Sequence, residues 1–198
     1  MPRIGPQLLP MALIWALPLP GTAEVGPWSL TVYTGQYSND PLLEGIILGV
    51  EGIHLEDSHL HTVALAKTMS DPNTFWQWEI EGQFAQNEGL QRNWETNLLA
   101  IFRWNTFLWE RWLPTTVAIG EGFSYASQNP YLEQAHHEPR GTHRTLNYLL
   151  FEITLAPLIA EGHWSLVARI HHRSGVFGRL HNVWGGSDYV GTGIKFVF

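Results

Sequence analysis

The sequence lacks cysteine and has few charged residues. None of its 198 residues is cysteine, which excludes a disulfide framework and thiolate chemistry. Charged residues make up only 15% of the chain, and the formal net charge is −7. Nucleic-acid phosphates attract clusters of Lys and Arg, so this negative balance argues against a nucleic-acid partner.

Long apolar runs are also scarce, and the longest lies at the N-terminus. Residues 1–23 combine Arg3, an apolar run from Leu8 to Leu19 and the small residues Gly21, Thr22 and Ala23. This order is typical of a secretory signal peptide. Prolines interrupt the run, so an uncleaved N-terminal anchor is the weaker alternative. We predict a signal peptide over 1–23 and one domain over 24–198.

The sequence is rich in tryptophan and in alternation with a period of two. Ten Trp residues are present, and Trp is enriched where a bilayer meets water. The clearest alternation runs from Phe75 to Phe84. One face carries Trp76, Trp78, Ile80, Gly82 and Phe84, and the other carries Gln77, Glu79, Glu81 and Gln83. Segments of about ten residues with one apolar and one polar face are typical of transmembrane barrel strands.

Patterns of this kind predict eight strands in the mature chain. They cover residues 27–37, 58–69, 74–86, 93–104, 114–126, 145–156, 163–174 and 187–198. The connections at 70–73 and 160–162 are short, whereas 38–57, 127–144 and 175–186 are long. An even strand number with short periplasmic turns and long outer loops is typical of bacterial outer-membrane barrels.

We therefore predict an all-β fold, an eight-stranded antiparallel transmembrane β-barrel in the bacterial outer membrane with both termini in the periplasm. No segment beyond the N-terminus reaches the roughly 20 apolar residues of a membrane-spanning helix, so a membrane-embedded form must be a closed barrel. The alternative is a soluble β-sandwich or lipocalin-like barrel, which would bury the apolar parity instead.

Two segments fit the strand pattern less well. Leu42 to Leu48 is apolar and suits either a further strand or a short helix in the first loop. In the fifth strand, Glu121 shares the parity of apolar residues, namely Val117, Ile119, Phe123 and Tyr125. Either that face lines the lumen, or a β-bulge changes the register.

The seventh strand has polar residues at the end of its apolar face. One parity consists of Trp164, Leu166, Ala168, Ile170, His172 and Ser174. Because strand side chains alternate faces, an outward apolar face would present His172 and Ser174 to lipid. The opposite parity carries Arg169 and Arg173. We expect these arginines to pair in the lumen with a glutamate from another strand, namely Glu81, Glu95 or Glu152.

His172 and Ser174 have the chemistry of a base and a nucleophile. Their Cα atoms should lie ~6.6 Å apart on one face of a strand. Asp188 opens the last strand on the matching parity, and an acid facing lipid needs a partner. These three residues could form a serine hydrolase site. In the alternative interpretation, Asp188 is an exposed turn residue and the other two are polar residues at the interface.

The residues around this site resemble a known family, the PagL-type lipid A 3-O-deacylases or acyloxyacyl hydrolases. That family has His-x-Ser near the end of the penultimate strand, then Asn-x-Gly, and an acid on the last strand. Here the segments 171–178 and 186–189 read His-His-Arg-Ser-Gly-Val-Phe-Gly and Gly-Ser-Asp-Tyr. The early segments 33–37 and 57–60 are also similar to that family's N-terminal strands.

The resemblance implies an outer-membrane barrel that hydrolyses the ester-linked 3-hydroxyacyl chain of lipid A, in lipopolysaccharide. Ser174 would be the nucleophile, His172 the base and Asp188 the orienting acid. The chain departs from the family in having Gly175 in place of Asn and Asp188 in place of the usual Glu. Backbone N–H groups near Gly175 to Gly178 would then have to bind the oxyanion, and we name Gly175 and Gly178 as the candidates.

Other features give no competing chemistry. The cluster His136, His137, Glu138 and His143 matches no standard zinc spacing, so we predict no metal and no cofactor. A non-catalytic structural or adhesive barrel is the alternative function. A small-ligand pore ranks last, because side chains fill the lumen of an eight-stranded barrel. A homodimer is compatible with the predicted architecture.

Overall fold

A computed structural model describes residues 26–50, 52–70, 75–136, 141–157 and 163–198. The predicted signal peptide over 1–23 lies outside these ranges. The strands are β1 Trp28–Ser38, β2 Leu55–Thr68, β3 Trp76–Gly89, β4 Trp94–Trp104, β5 Thr115–Ala126, β6 Thr145–Leu155, β7 Trp164–Ser174 and β8 Gly186–Val197. Each strand pairs with the next, and β8 pairs antiparallel with β1 to close the barrel. The prediction of a closed eight-stranded antiparallel barrel is confirmed.

The barrel has a charged interior and an apolar exterior. Arg169 is 1% exposed and Glu81 is 0% exposed, and both point into the lumen. Leu166 is 57% exposed and Val32 is 52% exposed on the outer wall. This is the reverse of a soluble barrel and is the arrangement of a transmembrane β-barrel. The apolar face of β7 therefore points outward, as the sequence predicted.

Buried ion pairs fill the lumen. Arg169 donates to both carboxylate oxygens of Glu81 at 2.9 Å and also to Glu152. Lys195 reaches Glu152 at 2.8 Å, and the Arg173 guanidinium lies 3.8 Å from Glu95. The predicted pairing of the two β7 arginines with lumenal glutamates is confirmed. In the described part of the chain, these side chains occupy the lumen of the barrel.

Two short helices lie in the described parts of the outer loops. Leu42–Ile47 forms a single turn of π-helix, so the helix alternative for this segment is right. A helix that the sequence did not predict, α1, covers Tyr131–His136. Its Glu133 is buried and accepts hydrogen bonds from Arg173 at 2.8 Å and Ser187 at 2.7 Å. Through these bonds α1 caps the upper end of the lumen.

The predicted turns at 70–73 and 160–162 fall mostly or wholly outside the described residues. Within the described ranges, no helix is both long and apolar enough to cross a membrane.

Both explanations offered for Glu121 are wrong. The pairing of β5 with β4 and with β6 runs through Glu121 without a register shift, so no bulge is present. Ser124 and Ala126, on the opposite parity, are fully buried in the lumen, whereas Glu121 is exposed on the outer wall. The lipid-facing side of β5 therefore carries a carboxylate.

The lumenal ion pairs give a test of the fold. Arg169→Met should destabilise the barrel by about 3–5 kcal/mol, because it leaves two buried glutamates without their shared cation. Urea unfolding in detergent micelles, followed by tryptophan fluorescence, measures the change. Leu166→Met, on the outward face of the same strand, is the control and should change stability by less than about 1.5 kcal/mol. Equal stability of the two variants would contradict a structural role for the network.

Candidate active site

The register between β7 and β8 brings His172 and Asp188 together. The two residues are direct Cα partners on neighbouring strands. A hydrogen bond of 2.7 Å joins His172 Nδ1 to Asp188 Oδ1. Their side chains are only 16% and 11% exposed, so the pair is largely shielded from solvent. An imidazole held in this way keeps a fixed orientation, with its Nε2 atom available for proton transfer.

Ser174 lies on the same outward face, two residues after His172. Both residues line one cavity together with Asp188. Among the described residues, no hydrogen bond joins the Ser174 hydroxyl to the His172 ring. The structure thus contains a formed His–Asp pair with a hydroxyl beside it. Catalytic hydrogen bonds are often long without substrate and tighten when it binds.

The cavity has a volume of about 710 Å³ and lies where the strands meet the outer loops. Its apolar walls come from four segments and include Leu42, Leu43, Leu149, Val176, Phe177 and Trp184. The His172–Asp188 pair and Ser174 supply polar groups. Such a combination suits an amphiphile that presents a polar bond next to an alkyl chain.

The loop after Ser174 corrects the predicted oxyanion donors. The Gly175 N–H donates to the Gly185 carbonyl at 3.1 Å, and the Gly178 N–H donates to the Val183 carbonyl at 2.9 Å. Both donors are therefore already used within the loop. The expectation that Gly175 and Gly178 supply oxyanion donors does not agree with this geometry.

The two residues between these glycines, Val176 and Phe177, offer N–H groups instead. Val176 and Phe177 have φ values of 51° and 55°. A β-branched residue rarely adopts positive φ, and strain of this kind clusters at functional sites. In the described part of the chain, neither N–H group has a hydrogen-bond acceptor, and both residues line the cavity. The Gly-Val-Phe-Gly segment was a sequence signal for a tight turn, but it did not identify the free donors.

Two further polar residues lie at the cavity and were not predicted as site residues. Asn147 on β6 is the direct Cα partner of Ser174. Its Nδ2 donates to Glu121 Oε1 at 3.3 Å and to the Gly122 carbonyl at 3.2 Å. The anomalous parity of Glu121 was the only sequence signal for this pair. The cross-strand register that brings Asn147 to Ser174 is not visible in the sequence.

The first loop is anchored beside the cavity by Asp40. Its carboxylate accepts hydrogen bonds from the His54 backbone N–H at 2.6 Å and from the Ser38 hydroxyl at 2.9 Å. The His54 N–H is the main cause of a lowered pKa for Asp40. A carboxylate that stays ionised keeps the segment with the π-helix against the cavity.

The histidines of the outer loops make local contacts. His136 lies 3.1 Å from the Tyr37 hydroxyl and 3.6 Å from Glu56, and the His143 ring stacks on His181. The other members of the sequence cluster, residues 137 and 138, lie outside the described ranges. Within those ranges, no three potential ligands group around one point.

Comparison with known proteins supports the fold. No protein-family model matches the sequence, and no curated protein matches it. The structure is similar to that of the outer membrane enzyme PagL, with a TM-score of 0.58 and 11% identity, over 85% of this chain and 98% of that chain. It is also similar to Neisserial surface protein A (NspA), with a TM-score of 0.50 and 8% identity, over 86% of this chain and 96% of that chain. The fold is shared with an outer-membrane enzyme.

The loop geometry predicts that the Asn of the resembled family does not fit at position 175. A Cβ atom on Gly175 would lie 2.0 Å from the Val183 carbonyl oxygen, so any side chain forces the loop to move. Gly175→Asn should therefore increase amide hydrogen exchange of residues 175–185 by at least tenfold. Arg179→Gln, an exposed change in the same loop, is the control and should leave the exchange unchanged. An unaltered loop in the Asn variant would contradict this close packing.

Proposed function

We propose that this protein is a serine esterase of the bacterial outer membrane that removes an ester-linked 3-hydroxyacyl chain from lipid A. The observation that carries the proposal is the 2.7 Å His172–Asp188 hydrogen bond on the outward rim of the barrel, beside Ser174. A serine hydrolase site requires a base and an acid that are held in a fixed orientation relative to each other, and this pair meets that requirement.

The mechanism follows from these positions. His172 Nε2 takes the proton of the Ser174 hydroxyl as the oxygen attacks the ester carbonyl. Asp188 accepts the His172 Nδ1–H and stabilises the imidazolium that forms. The N–H groups of Val176 and Phe177 donate to the oxyanion of the tetrahedral intermediate. His172 then protonates the departing sugar oxygen, and water hydrolyses the acyl-enzyme to release the fatty acid.

The position of the cavity supports a lipid substrate. The candidate residues lie on the outward side of the wall, where a lipid's acyl chains contact the barrel, and not in the lumen. At the outer rim, the ester bonds of an outer-leaflet lipid lie between the alkyl chains and the head group. The fold similarity to an outer membrane enzyme agrees with this assignment.

A non-catalytic structural or adhesive barrel is the second candidate function. The lack of a described hydrogen bond between Ser174 and His172 favours it. The similarity to a protein named for its place on the cell surface favours it as well. In that case the rim residues would serve only the interface with the membrane.

Replacement of the nucleophile distinguishes the two functions. Cells that express the wild-type protein should contain lipid A lighter by one 3-hydroxyacyl group, as measured by mass spectrometry. Ser174→Ala should leave lipid A intact, because no other hydroxyl lies beside His172 on β7. Ser165→Ala, on the opposite parity of β7 and at its other end, is the matched control and should retain activity. Deacylation by the Ser174→Ala protein would rule out this mechanism.

Removal of the acid's charge tests its positioning role. Asp188→Asn should lower kcat by about 100-fold or more, because the amide no longer favours the required His172 tautomer or stabilises the imidazolium. KM should change little, since Asp188 acts through His172. Asp188→Glu keeps the charge and should retain more activity than Asp188→Asn. A full kcat in the Asn variant would show that the acid has no catalytic role.

A further inference from the structure

The carboxylate on the outer wall of β5 lies level with the candidate active site. Glu121 is the Cα partner of Leu149 on β6, and Leu149 is the Cα partner of His172 on β7. Glu121, Leu149 and His172 thus lie in one row of cross-strand partners on the outward face. Glu121 lines the same cavity as His172 and Ser174.

A carboxylate on a lipid-facing wall is unfavourable unless polar partners compensate it. In the described part of the chain, Glu121 Oε1 accepts a hydrogen bond of 3.3 Å from Asn147 Nδ2, which belongs to a neutral side-chain amide. No cation of the described residues forms an ion pair with it. The position therefore retains hydrogen-bonding capacity at the site where a substrate ester would lie.

The pair formed by Glu121 and Asn147 presents only acceptors. Both amide hydrogens of Asn147 are used, one on Glu121 and one on the Gly122 carbonyl. The Asn147 Oδ1 atom and the second carboxylate oxygen of Glu121 are left to accept from a ligand. Asn147 is the cross-strand partner of Ser174, so the two Cβ atoms should be about 5 Å apart. A hydrogen-bond donor of a ligand that binds here would be separated by only a few covalent bonds from an ester group placed at Ser174.

An apolar groove continues from the pair along the outer wall. It has a volume of about 500 Å³ and shares Glu121, Asn147 and Leu149 with the candidate cavity. Its apolar lining includes Trp78, Ala100, Phe102, Ile119 and Phe123. An alkyl chain laid in this groove would pass the acceptor pair close to its ester end.

We propose that Glu121 and Asn147 form a specificity-determining subsite that selects esters with a hydrogen-bond donor close to the scissile bond. The proposal rests on the proposed esterase function and adds the chemistry of its substrate. The donor is a hydroxyl on the acyl chain or an amide N–H on the alcohol side. Its hydrogen bond to the carboxylate compensates the charge on the lipid-facing wall.

Two matched pairs of esters test the subsite and separate the two donor sources. The first pair is p-nitrophenyl 3-hydroxydecanoate and p-nitrophenyl decanoate. The second is 2-acetamidoethyl decanoate and its N-methyl derivative, which lacks the N–H group. The measured quantity is the ratio of kcat/KM within each pair, for purified protein in detergent micelles.

Glu121→Leu should lower the donor preference of the wild-type protein by about tenfold or more in one of the two pairs, the loss expected for a hydrogen bond to a charged group. Because the ratio of kcat/KM is taken within each pair, an equal loss of activity on both esters leaves it unchanged. The variant should fold, because leucine suits a lipid-facing position. Val117→Leu, on the same face of β5 outside the groove, is the control. Unchanged preferences in both pairs for Glu121→Leu would overturn the subsite.

A binding measurement keeps the subsite and the esterase function separate. In Ser174→Ala protein, the Asn147 side-chain amide signals in a ¹⁵N NMR spectrum should shift with methyl 3-hydroxydecanoate or 2-acetamidoethyl decanoate, and less with the compounds that lack the donor. If the wild-type protein hydrolyses none of the esters but these signals shift, the esterase proposal fails and the subsite stands. If the signals respond equally to compounds with and without the donor, the subsite is wrong.

Discussion

Arg169 decides which face of the barrel wall points outward. Its guanidinium binds Glu81 on β3 and Glu152 on the neighbouring strand β6. Such a cluster is favourable only when every member is paired in the water-poor lumen, so it holds the charged parity of β3, β6 and β7 inside. Because side chains alternate along a strand, the residues of the other parity then face the lipid. His172 and Ser174 face outward because Arg169 and Arg173 face inward.

The site depends on register as well as on this inward–outward choice. The pairing of β7 with β8 sets Asp188 directly across from His172, and the pairing of β6 with β7 sets Asn147 across from Ser174. A shift by one residue would turn either partner into the lumen. The candidate chemistry therefore depends on the register of β6, β7 and β8.

The sequence was sufficient for the architecture because period-two patterning is a local property. It predicted the eight strands, the outward face of β7 and the lumenal role of its arginines. It did not predict the partner of Ser174 on β6 or the inward packing of α1, since both follow from contacts between residues distant in sequence. The position of Glu121 was misjudged for another reason. Patterning assumes that a charged residue avoids lipid, and Glu121, which the proposed subsite would use for ligand recognition, breaks that assumption.

The two departures from the resembled family have a common physical basis in the β7–β8 connection. Asp188 is a direct cross-strand neighbour of His172, and Cβ atoms in such pairs are about 5 Å apart. The shorter aspartate suits that distance, whereas a glutamate would have to fold back to reach the same nitrogen. Gly175 permits the Val183 carbonyl to approach, which closes the loop into a left-handed turn and leaves the N–H groups of Val176 and Phe177 unused. In the proposed mechanism, backbone donors in this turn take the place of the side-chain amide of the resembled family's Asn, so glycine at position 175 is compatible with catalysis.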